Sequence, residues 1–515
     1  MNKKLSSFTA SMALLSVLLC SCLQLQSTAP TGAAADTPTE LTCLVNISSA
    51  LLEQCNGDLN QSPFFQELEK RTNVHISWVT SVNEQESRYF FKQTNTQMPD
   101  LIINAYQNHT YGTGLDTAID EGAILDLSEL IPKYAPNYYA IIQENENLTD
   151  IVYTDAGRLA AVYAVRQEKQ GPWIGPMIRK DWLDELNLKI PVTYDDWETV
   201  LTAFHEKKHA SAPLYLPGTG YMPGDYLSAG FGVSSSFYHI GDNIYYGPAE
   251  EGWKEYLMLL NRWYDLGLIS PYFSTGDIFP NEDNIANGSS GIWCSYYLFS
   301  SFLSAKDCPD ISTAPIPAPK KEASDESHFR FPDTYVDNYI AISSSCAHPE
   351  AALKWLDYLY SKEGTLFATY GLEGETYTIK EDGRPEYTEL ITDNPDGLNF
   401  YDALQYYTLP TYFPIGYTNW KRELQANKFQ SCQEMMDIWS SSDTDYLLPT
   451  GLNLTPQESR RYSEIMAKVS DCMHEYTIQF IMGTLSFDSY DDYLARLNNS
   501  GLKEALQILQ NAYLR

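Results

Sequence analysis

The sequence predicts an α/β fold, because short apolar strands alternate with helical segments from residue 40 onwards. Residues 41–47 form a β-branched apolar run, residues 63–72 carry apolar side chains at helical spacing, and residues 75–79 are predicted as a second strand. A helix over residues 83–95 and a strand over residues 101–105 continue the pattern. Such alternation is typical of βαβ units built around a mostly parallel sheet.

The middle and the end of the chain extend this prediction. A hairpin is predicted over residues 151–165, and a helix is predicted to begin within residues 177–186. Thr193 followed by Asp196 predicts a capped helix start, because each side chain can accept from the other residue's backbone N–H. The other predicted elements are helices over residues 250–266 and 349–360, a strand over 335–343, and a helical tail over 456–515 broken at Gly483 and Gly501.

The N-terminus predicts export. A basic start is followed by an apolar run over residues 5–19, which is shorter than the ~20 residues of a membrane span. The run ends in Leu19–Cys20–Ser21–Cys22, which resembles a bacterial lipoprotein box and predicts lipidation of Cys22 after a signal peptide of residues 1–21. Cys20 departs from that box, and an ordinary secretory signal cut near residues 33–35 is the alternative. Residues 22–39 are rich in Ser, Thr, Ala, Pro and Gly and predict a flexible tether.

Charge and cysteine usage exclude several classes of protein. The 515 residues contain 34 Lys and Arg against 67 Asp and Glu, a net charge of −33, which repels nucleic-acid phosphates and anionic lipid heads. Beyond the signal region no CxxC pair occurs, so the spacing does not support a zinc or redox motif. Cys43 and Cys55 suit either a disulfide, which an exported protein can keep, or buried free thiols.

Enzyme motifs are also missing from the sequence. No GxSxG, HExxH or Walker phosphate loop occurs. His205 and His209 are four residues apart, but in a Lys-rich helix end that predicts a solvated face. Residues 393–397 lack the remaining ligands of an EF-hand, which leaves open a calcium site built from tertiary contacts. We therefore expect no catalytic residues, no cofactor and no metal motif.

Five segments, taken in order, resemble the family 1 extracellular solute-binding proteins, the lipid-anchored receptors of ABC importers, in their large Gram-positive carbohydrate type. They are the lipoprotein box; Met177–Leu183 with Leu188, Pro191–Thr193 and Asp196–Trp197; Ile285–Gly288 with Gly291–Trp293; His348–Ala352 with Tyr370–Gly374; and Gln479–Gly483 with Tyr490–Tyr493 and Gly501–Leu502. Each segment is weak alone, but their order and spacing are specific.

The resemblance implies a two-lobed, type II periplasmic-binding-protein-like fold with discontinuous lobes, crossing hinge strands and a helical C-terminal region. Lobe 1 would combine residues 40–160 with 345–385, and lobe 2 would combine 168–335 with 386–515. The hinges would lie near 159–167 and 335–344. The resemblance also implies a monomer anchored by lipid on the extracellular face of the cell membrane, which closes on a solute and presents it to ABC permease subunits.

The abundance of Tyr points to the class of solute. The chain has 38 Tyr and 10 Trp, which offer flat apolar platforms to sugar rings, while Asp, Glu, Asn and Gln pair with sugar hydroxyls. We therefore expect a carbohydrate, and specifically an oligosaccharide. A peptide-binding importer receptor is one alternative. The other is a surface glycan adhesin or lyase-like protein that works without a permease.

Candidate ligand-binding residues are chosen by position, since ligands bind beyond the carboxyl ends of parallel strands. Trp293 is the leading candidate, because in maltose-type receptors, which the chain resembles, an aromatic residue after the corresponding strand stacks on sugar. The full set is Asn46, Tyr106, Gln107, Asn108, Trp173, Tyr221, Asp225, Trp293, Tyr296, Asp337 and Glu373.

Overall fold

Thirteen strands and eighteen α-helices are found in the described parts of the chain. The computed structural model describes residues 37–81, 98–104, 114–154, 156–299, 303, 311–411, 413–426, 432–449, 452 and 454–515. The strands are β1 Thr39–Asn46, β2 Val74–Ser81, β3 Leu101–Ile103, β4 Val162–Gln170, β5 Ile174–Arg179, β6 Phe237–Ile240, β7 Asn243–Tyr246, β8 Ile292–Tyr296, β9 Thr313–Pro315, β10 Thr334–Ile342, β11 Tyr377–Ile379, β12 Pro385–Tyr387 and β13 Tyr417–Thr418.

The helices lie between and after these strands. They are α1 Ser49–Gln54, α2 Pro63–Thr72, α3 Gly114–Asp120, α4 Ile131–Tyr134, α5 Pro136–Glu144, α6 Glu146–Val152, α7 Lys180–Glu185, α8 Tyr194–Lys208, α9 Glu251–Asp265, α10 Glu282–Ala286, α11 Pro349–Tyr358, α12 Lys362–Tyr370, α13 Glu389–Thr392, α14 Phe400–Tyr407, α15 Cys432–Trp439, α16 Pro456–Ile481, α17 Tyr490–Asn499 and α18 Leu502–Tyr513.

The strands form two principal sheets of different character. The larger has six strands in the order β13-β4-β10-β3-β1-β2, and the smaller has the order β8-β5-β9. β1 runs parallel to β2 and β3, but β10 runs antiparallel to β3 and β4, so the larger sheet is mixed. The smaller sheet is antiparallel throughout. The predicted α/β class is confirmed, whereas the expectation of a mostly parallel sheet holds only at the two ends of the larger sheet, for β1 with β2 and β3 and for β13 with β4.

Each principal sheet belongs to its own hydrophobic core. The core that we call lobe 1 draws on residues 41–165 and 339–415, and the core that we call lobe 2 draws on residues 174–318 and 432–509. Within β1 the side chains alternate, so that Cys43 faces the main core of lobe 1 and Leu44 faces a smaller cluster with Ala118 of α3. Two cores drawn from interleaved stretches of chain give the two-lobed fold.

The chain passes between the lobes three times. It leaves the larger sheet after Gln170, the last residue of β4, and returns at Thr334, the first residue of β10, which pairs with Gln170. The third passage follows the 3₁₀ helix Trp420–Ala426. Leu409 and Ile415 lie in the lobe 1 core, so lobe 1 extends beyond the expected boundary at residue 385.

Local signals explain where several helices start. Ser62 accepts from the backbone N–H of Phe64 before Pro63 opens α2, and α2 spans the predicted residues. Thr193 and Asp196 form the predicted capping box of α8. These starts depend only on neighbouring residues, which is why the sequence reveals them.

One predicted element is wrong, and the helix predicted to begin within residues 177–186 is found as α7 Lys180–Glu185, which starts later than Met177. In place of a hairpin over residues 151–165, α6 continues to Val152, and only an isolated bridge joins Tyr153 to Leu159. Met177 lies in strand β5 rather than in a helix. Every residue of β5 is buried, and a short, fully buried apolar run has no periodicity that separates a strand from a helix. The helix predicted over residues 83–95 lies outside the described residues.

The structure shows whether Cys43 and Cys55 form a disulfide. Cys43 and Cys55 are both buried free thiols, which decides between the two alternatives left open by the sequence. Burial raises the pKa of the Cys55 thiol to about 11, and the charge of Asp58 adds to the effect.

Among the described residues, no helix combines the length and apolar character needed to cross a membrane.

Candidate functional site

A cavity of about 260 Å³ lies where the end of β1 meets α14. Its lobe 1 wall includes Asn46, the last residue of β1, and Phe413. On the other side stands Tyr401 of α14, whose ring packs against the lobe 2 core. The cavity therefore lies at the junction of the two lobes, beyond the carboxyl end of a parallel strand, the position at which ligands bind in open α/β sheets.

The lining combines aromatic and apolar surface with uncharged polar groups. The residues around the cavity are Asn46, Ile47, Ser48, Leu51, Tyr401, Gln405, Pro410, Thr411 and Phe413. A mostly apolar wall that carries a few placed hydrogen-bonding groups is the usual composition of a small-molecule site. Such a wall suits a ligand with both apolar faces and hydroxyl groups.

A smaller cavity of about 30 Å³ adjoins this one and shares Pro410, Thr411 and Phe413 with it. Its other walls include Arg166 of β4 and the pair Arg422 and Glu423. The two cavities together follow the segment from residue 409 to residue 423, which leads out of lobe 1 towards the third passage.

Two buried hydrogen-bond donors at these cavities are unpaired. The side-chain nitrogen Nε2 of Gln405 and the indole Nε1 of Trp420 find no acceptor among the described residues. Gln405 is 5% exposed and Trp420 is 7% exposed. A buried donor without a partner costs about 1–3 kcal/mol. An acceptor brought by a ligand would remove that cost, so both groups are placed as binding groups.

A hydrogen-bonded chain supports the wall on the lobe 2 side. Gln170, at the end of β4, donates through Nε2 to the Tyr297 hydroxyl at 2.9 Å. That hydroxyl donates to the Glu423 carboxylate. Thr411 donates to the other oxygen of Glu423 at 3.4 Å. These hydrogen bonds link Gln170 at the first passage and Glu423 before the third passage to Thr411 in the cavity wall.

Two tyrosines near the lobe junction have hydroxyls whose pKa values are raised. Tyr296 is the last residue of β8 in lobe 2, and Tyr401 lies on α14. Burial raises the pKa of the Tyr401 hydroxyl, and the neighbouring Tyr296, Glu423 and Asp402 raise it further. Burial likewise raises the pKa of Tyr296, with Glu282 and Asp402 adding to the effect. The two hydroxyls and these carboxylates therefore share one partly dehydrated region.

Of the predicted site residues, Asn46 lines the junction cavity, and Tyr296 is near enough to Tyr401 to raise the pKa of that hydroxyl. The Asn46 side-chain oxygen accepts from the Ser81 hydroxyl, which fixes its orientation at the rim. Trp173 follows β4, is half-buried, and meets Phe331 edge-on with ring centres 4.9 Å apart. It lies near the first passage between lobes but does not line the cavity.

The leading candidate, Trp293, lies in the core. Its side chain is 0% exposed, and its indole Nε1 donates to the Ser295 hydroxyl at 3.1 Å. The ring therefore presents no face to a ligand in this conformation. The physical reason is that β8 packs within the small sheet with its first four residues buried, so Trp293 points inward beside the lobe 2 core.

Tyr221 and Asp225 serve the packing of lobe 2. Asp225 accepts from the Ser234 hydroxyl at 2.7 Å and from the Ser235 backbone N–H at 2.9 Å. Burial raises the pKa of Asp225, while these hydrogen bonds oppose the rise. Tyr221 meets Trp253 of α9 edge-on at 6.3 Å. Neither residue lines the cavity at the lobe junction.

The other predicted residues fall elsewhere. Glu373 is exposed in the turn after α12, where it bridges to Tyr377, and it does not line the cavity. Asp337 lies in β10, but its side chain lies outside what is described. Tyr106, Gln107, Asn108 and the predicted lipidation residue Cys22 lie outside the described residues.

The sequence reasoning missed Tyr401, Gln405, Thr411 and Glu423. A signal was present, because residues 399–413 form a Tyr-rich stretch with polar residues interspersed, the composition that we associated with sugar binding. Because the candidates are chosen at the ends of predicted strands and in loops, this stretch, which follows no predicted strand, is not among them.

A larger cavity of about 490 Å³ lies on the outer side of lobe 1. Tyr360, Tyr370 of α12 and Tyr417 of β13 line it, and its remaining lining also comes from the lobe 1 side. None of its lining residues packs against the lobe 2 core, whereas Tyr401 in the wall of the junction cavity does. We therefore take the junction cavity as the functional site despite its smaller volume.

Comparison with known proteins identifies the family. The family model for bacterial extracellular solute-binding proteins matches residues 60–366, more than half of the chain. The chain belongs to this family, as the five segments led us to expect. Its two lobes and junction cavity are consistent with that membership.

Two curated relatives cover most of the chain. Lipoprotein LipO of Bacillus subtilis (strain 168) is 23% identical over 480 residues, covering 88% of this chain and 89% of LipO. The fructooligosaccharide ABC transporter substrate-binding protein FusA of Streptococcus pneumoniae is 22% identical over 494 residues, covering 88% of this chain and 87% of FusA.

Solved structures show the same fold. The alginate-binding protein AlgQ2 matches with a TM-score of 0.74 at 23% identity, covering 93% of this chain and 99% of AlgQ2. FusA in complex with kestose matches with a TM-score of 0.71 at 18% identity, covering 92% of this chain and 99% of FusA. The predicted two-lobed solute-binding fold is confirmed.

Proposed function

We propose that this protein captures an oligosaccharide at the junction of its two lobes and delivers it unaltered to an ABC permease. The observation that carries the proposal is the junction cavity, where the buried Gln405 amide nitrogen lacks an acceptor and Tyr401 lines the wall, with the unpaired Trp420 indole in the small adjoining cavity. Sugar hydroxyls are acceptors as well as donors, and sugar C–H faces pack on aromatic rings.

Family relatives support the same class of ligand. FusA is named for fructooligosaccharides, AlgQ2 for alginate, and the Bacillus subtilis protein YtcQ for polygalacturonan and rhamnogalacturonan. The last of these is 31% identical over 144 residues, or 27% of this chain. All three are named as binding proteins, which supports capture rather than cleavage.

Release to a permease would use the three passages between the lobes as a hinge. Closure of the lobes would complete the wall around the ligand, so a ligand that contacts both lobes favours the closed form. The proposal places the mature protein on the extracellular face of the membrane, held as a monomer by lipid on Cys22. The relative named lipoprotein LipO supports that anchor.

The experiment is a thermal-shift screen of the secreted chain against a panel of oligosaccharides and peptides. A ligand that binds only the folded state raises the melting temperature, so a saturable rise with an oligosaccharide is the expected result. Mass spectrometry should then recover that oligosaccharide at its original mass. A rise with peptides alone would support a peptide receptor, and recovery of shortened products would indicate an enzyme.

A further inference from the structure

The charge around the junction cavity bears on which oligosaccharides can enter it. Every polar side chain that lines the cavity among the described residues is uncharged: Asn46, Ser48, Tyr401, Gln405 and Thr411. Recognition of a sugar carboxylate usually uses the planar fork of Arg or the ammonium group of Lys. The described part of this wall contains neither.

Protein carboxylates lie near this cavity, and one of them, Glu423, lines the small cavity that adjoins it. Glu423 is 4% exposed and lies beside Thr411. Asp402 and Glu282 act on Tyr296 across the junction. Burial raises the pKa of Asp402, and the charge of Glu282 adds to it. A second carboxylate brought by a ligand would enter a region that already disfavours negative charge.

Arg422, a cation in the wall of the small adjoining cavity, is committed to the protein's own backbone. The Arg422 guanidinium, 3% exposed, donates to the carbonyl oxygens of Ala368, Thr369 and Leu409 at 2.9–3.2 Å. These hydrogen bonds hold the segment around residue 409 in place. They also keep the guanidinium turned towards backbone carbonyls of lobe 1. Arg422 therefore stabilises the wall without offering a fork to a ligand.

Arg166 is the other cation near the site. It is 6% exposed and lines the small adjoining cavity together with Glu423. A carboxylate of the protein thus already shares the space that Arg166 faces. The chain as a whole, at a net charge of −33, adds a long-range repulsion to anionic ligands.

We infer that the junction site selects neutral oligosaccharides and rejects those that carry carboxylates, such as uronate or sialate chains. The inference rests on the proposed function and narrows its ligand class. It separates this chain from relatives whose names refer to alginate and polygalacturonan, and groups it with the fructooligosaccharide receptor.

The first test is titration calorimetry of the secreted chain with two panels of oligosaccharides. The neutral panel contains oligomers of glucose, mannose, galactose, xylose and fructose. The acidic panel contains galacturonate, mannuronate and sialylated oligomers. Heat from neutral members alone is the expected result. Binding of acidic members alone, or equal binding of both panels, would overturn the inference and leave the proposed function intact. Binding of neither panel would count against the proposed function itself.

A matched pair of ligands with the same sugar units and glycosidic linkages isolates the effect of charge on affinity. Oxidising the primary hydroxyls of the neutral ligand to carboxylates should weaken its binding by about tenfold or more, while the methyl ester of the oxidised ligand, which restores neutrality at similar bulk, should regain most of the affinity. Loss of affinity by the ester as well would show that bulk and not charge decides, and would overturn the inference.

Protein variants provide the complementary comparison. Glu423→Gln removes a negative charge from the wall of the small adjoining cavity. It should therefore reduce the difference in affinity between the oxidised ligand and its methyl ester. Glu381→Gln, at an exposed position between β11 and β12, removes the same charge at a residue that lines neither cavity and should leave that difference in affinity unchanged. Equal effects of the two variants would mean that overall charge governs the selectivity and would overturn the assignment to this site.

Discussion

The hydroxyl of Tyr297, just after β8 in lobe 2, donates a hydrogen bond to the buried carboxylate of Glu423, in the segment by which the chain leaves lobe 1. Gln170 donates to the same hydroxyl from the end of β4. One tyrosine therefore connects two of the three passages between the lobes. Because the partners belong to different lobes, this connection bears on both stability and closure.

Tyr297→Phe should destabilise the protein by about 1.5–3 kcal/mol, the usual value of a hydrogen bond to a charged group. Urea denaturation with intrinsic fluorescence measures the loss. Tyr272→Phe is the matched control, since Tyr272 is 77% exposed and should change stability little. Equal stabilities of the two variants would show that the Glu423 carboxylate does not depend on Tyr297.

Gln405→Leu separates binding from folding. The amide nitrogen of Gln405 is unpaired among the described residues, so an apolar side chain of similar size removes an uncompensated donor and should leave the free protein as stable or slightly more stable. Affinity for the oligosaccharide should fall by about tenfold if the ligand accepts from that nitrogen, since each 1.4 kcal/mol is tenfold.

Calorimetry and thermal denaturation check this variant, with Gln507→Leu on an exposed face of α18 as the control. A variant that is destabilised yet binds normally would assign Gln405 to the core and remove it from the site.

Trp293→Ala should act on stability. The ring is wholly buried in lobe 2, and deletion of a buried aromatic side chain typically costs about 3–5 kcal/mol. Trp293→Phe keeps most of the apolar contact and should retain both folding and affinity. Guanidinium denaturation measures the stability of the Phe variant and calorimetry measures its affinity. Together they distinguish a packing role of Trp293 from a sugar-stacking role. Lost affinity in a stable Phe variant would return Trp293 to the list of sugar-stacking residues.

Glu458 gives a pH-dependent contribution to stability. Hydrogen bonding from Arg515, together with the backbone N–H of Thr455 at the start of α16, lowers the pKa of Glu458 to about 2. A carboxyl whose folded-state pKa lies below its ordinary value of 4.5 stabilises the fold above that value and loses the contribution as pH falls towards 2.

Arg515→Ala should therefore lower the melting temperature at pH 7 and have a smaller effect at pH 2.5. The same decrease at both pH values would show that Arg515 acts through packing and not through the Glu458 charge.

Cys22→Ala should abolish incorporation of labelled palmitate in cells and release the protein into the medium. Cys20→Ala is the matched control and should keep the label, because Cys22 occupies the last position of the lipoprotein box. Label that depends on Cys20, or on neither residue, would contradict the proposed anchor.

Local features of the fold could be predicted from the sequence, but the site largely could not. The bounds of α2 follow from Ser62, Pro63 and the apolar spacing after them, all within one short segment. The junction cavity depends instead on Asn46 and Tyr401, which are distant in the sequence, and no periodicity reports their contact. Strand position points to Trp293, but it does not tell an inward-facing ring, as in this structure, from one that borders the cleft.

Calorimetric titration of the secreted chain with the oligosaccharide identified by thermal shift tests the central claim most directly. Saturable binding of one oligosaccharide per protein, weakened by Gln405→Leu and unchanged by Gln507→Leu, is the predicted result. Binding that both variants retain in full would place the ligand away from the junction of the lobes and would contradict the account.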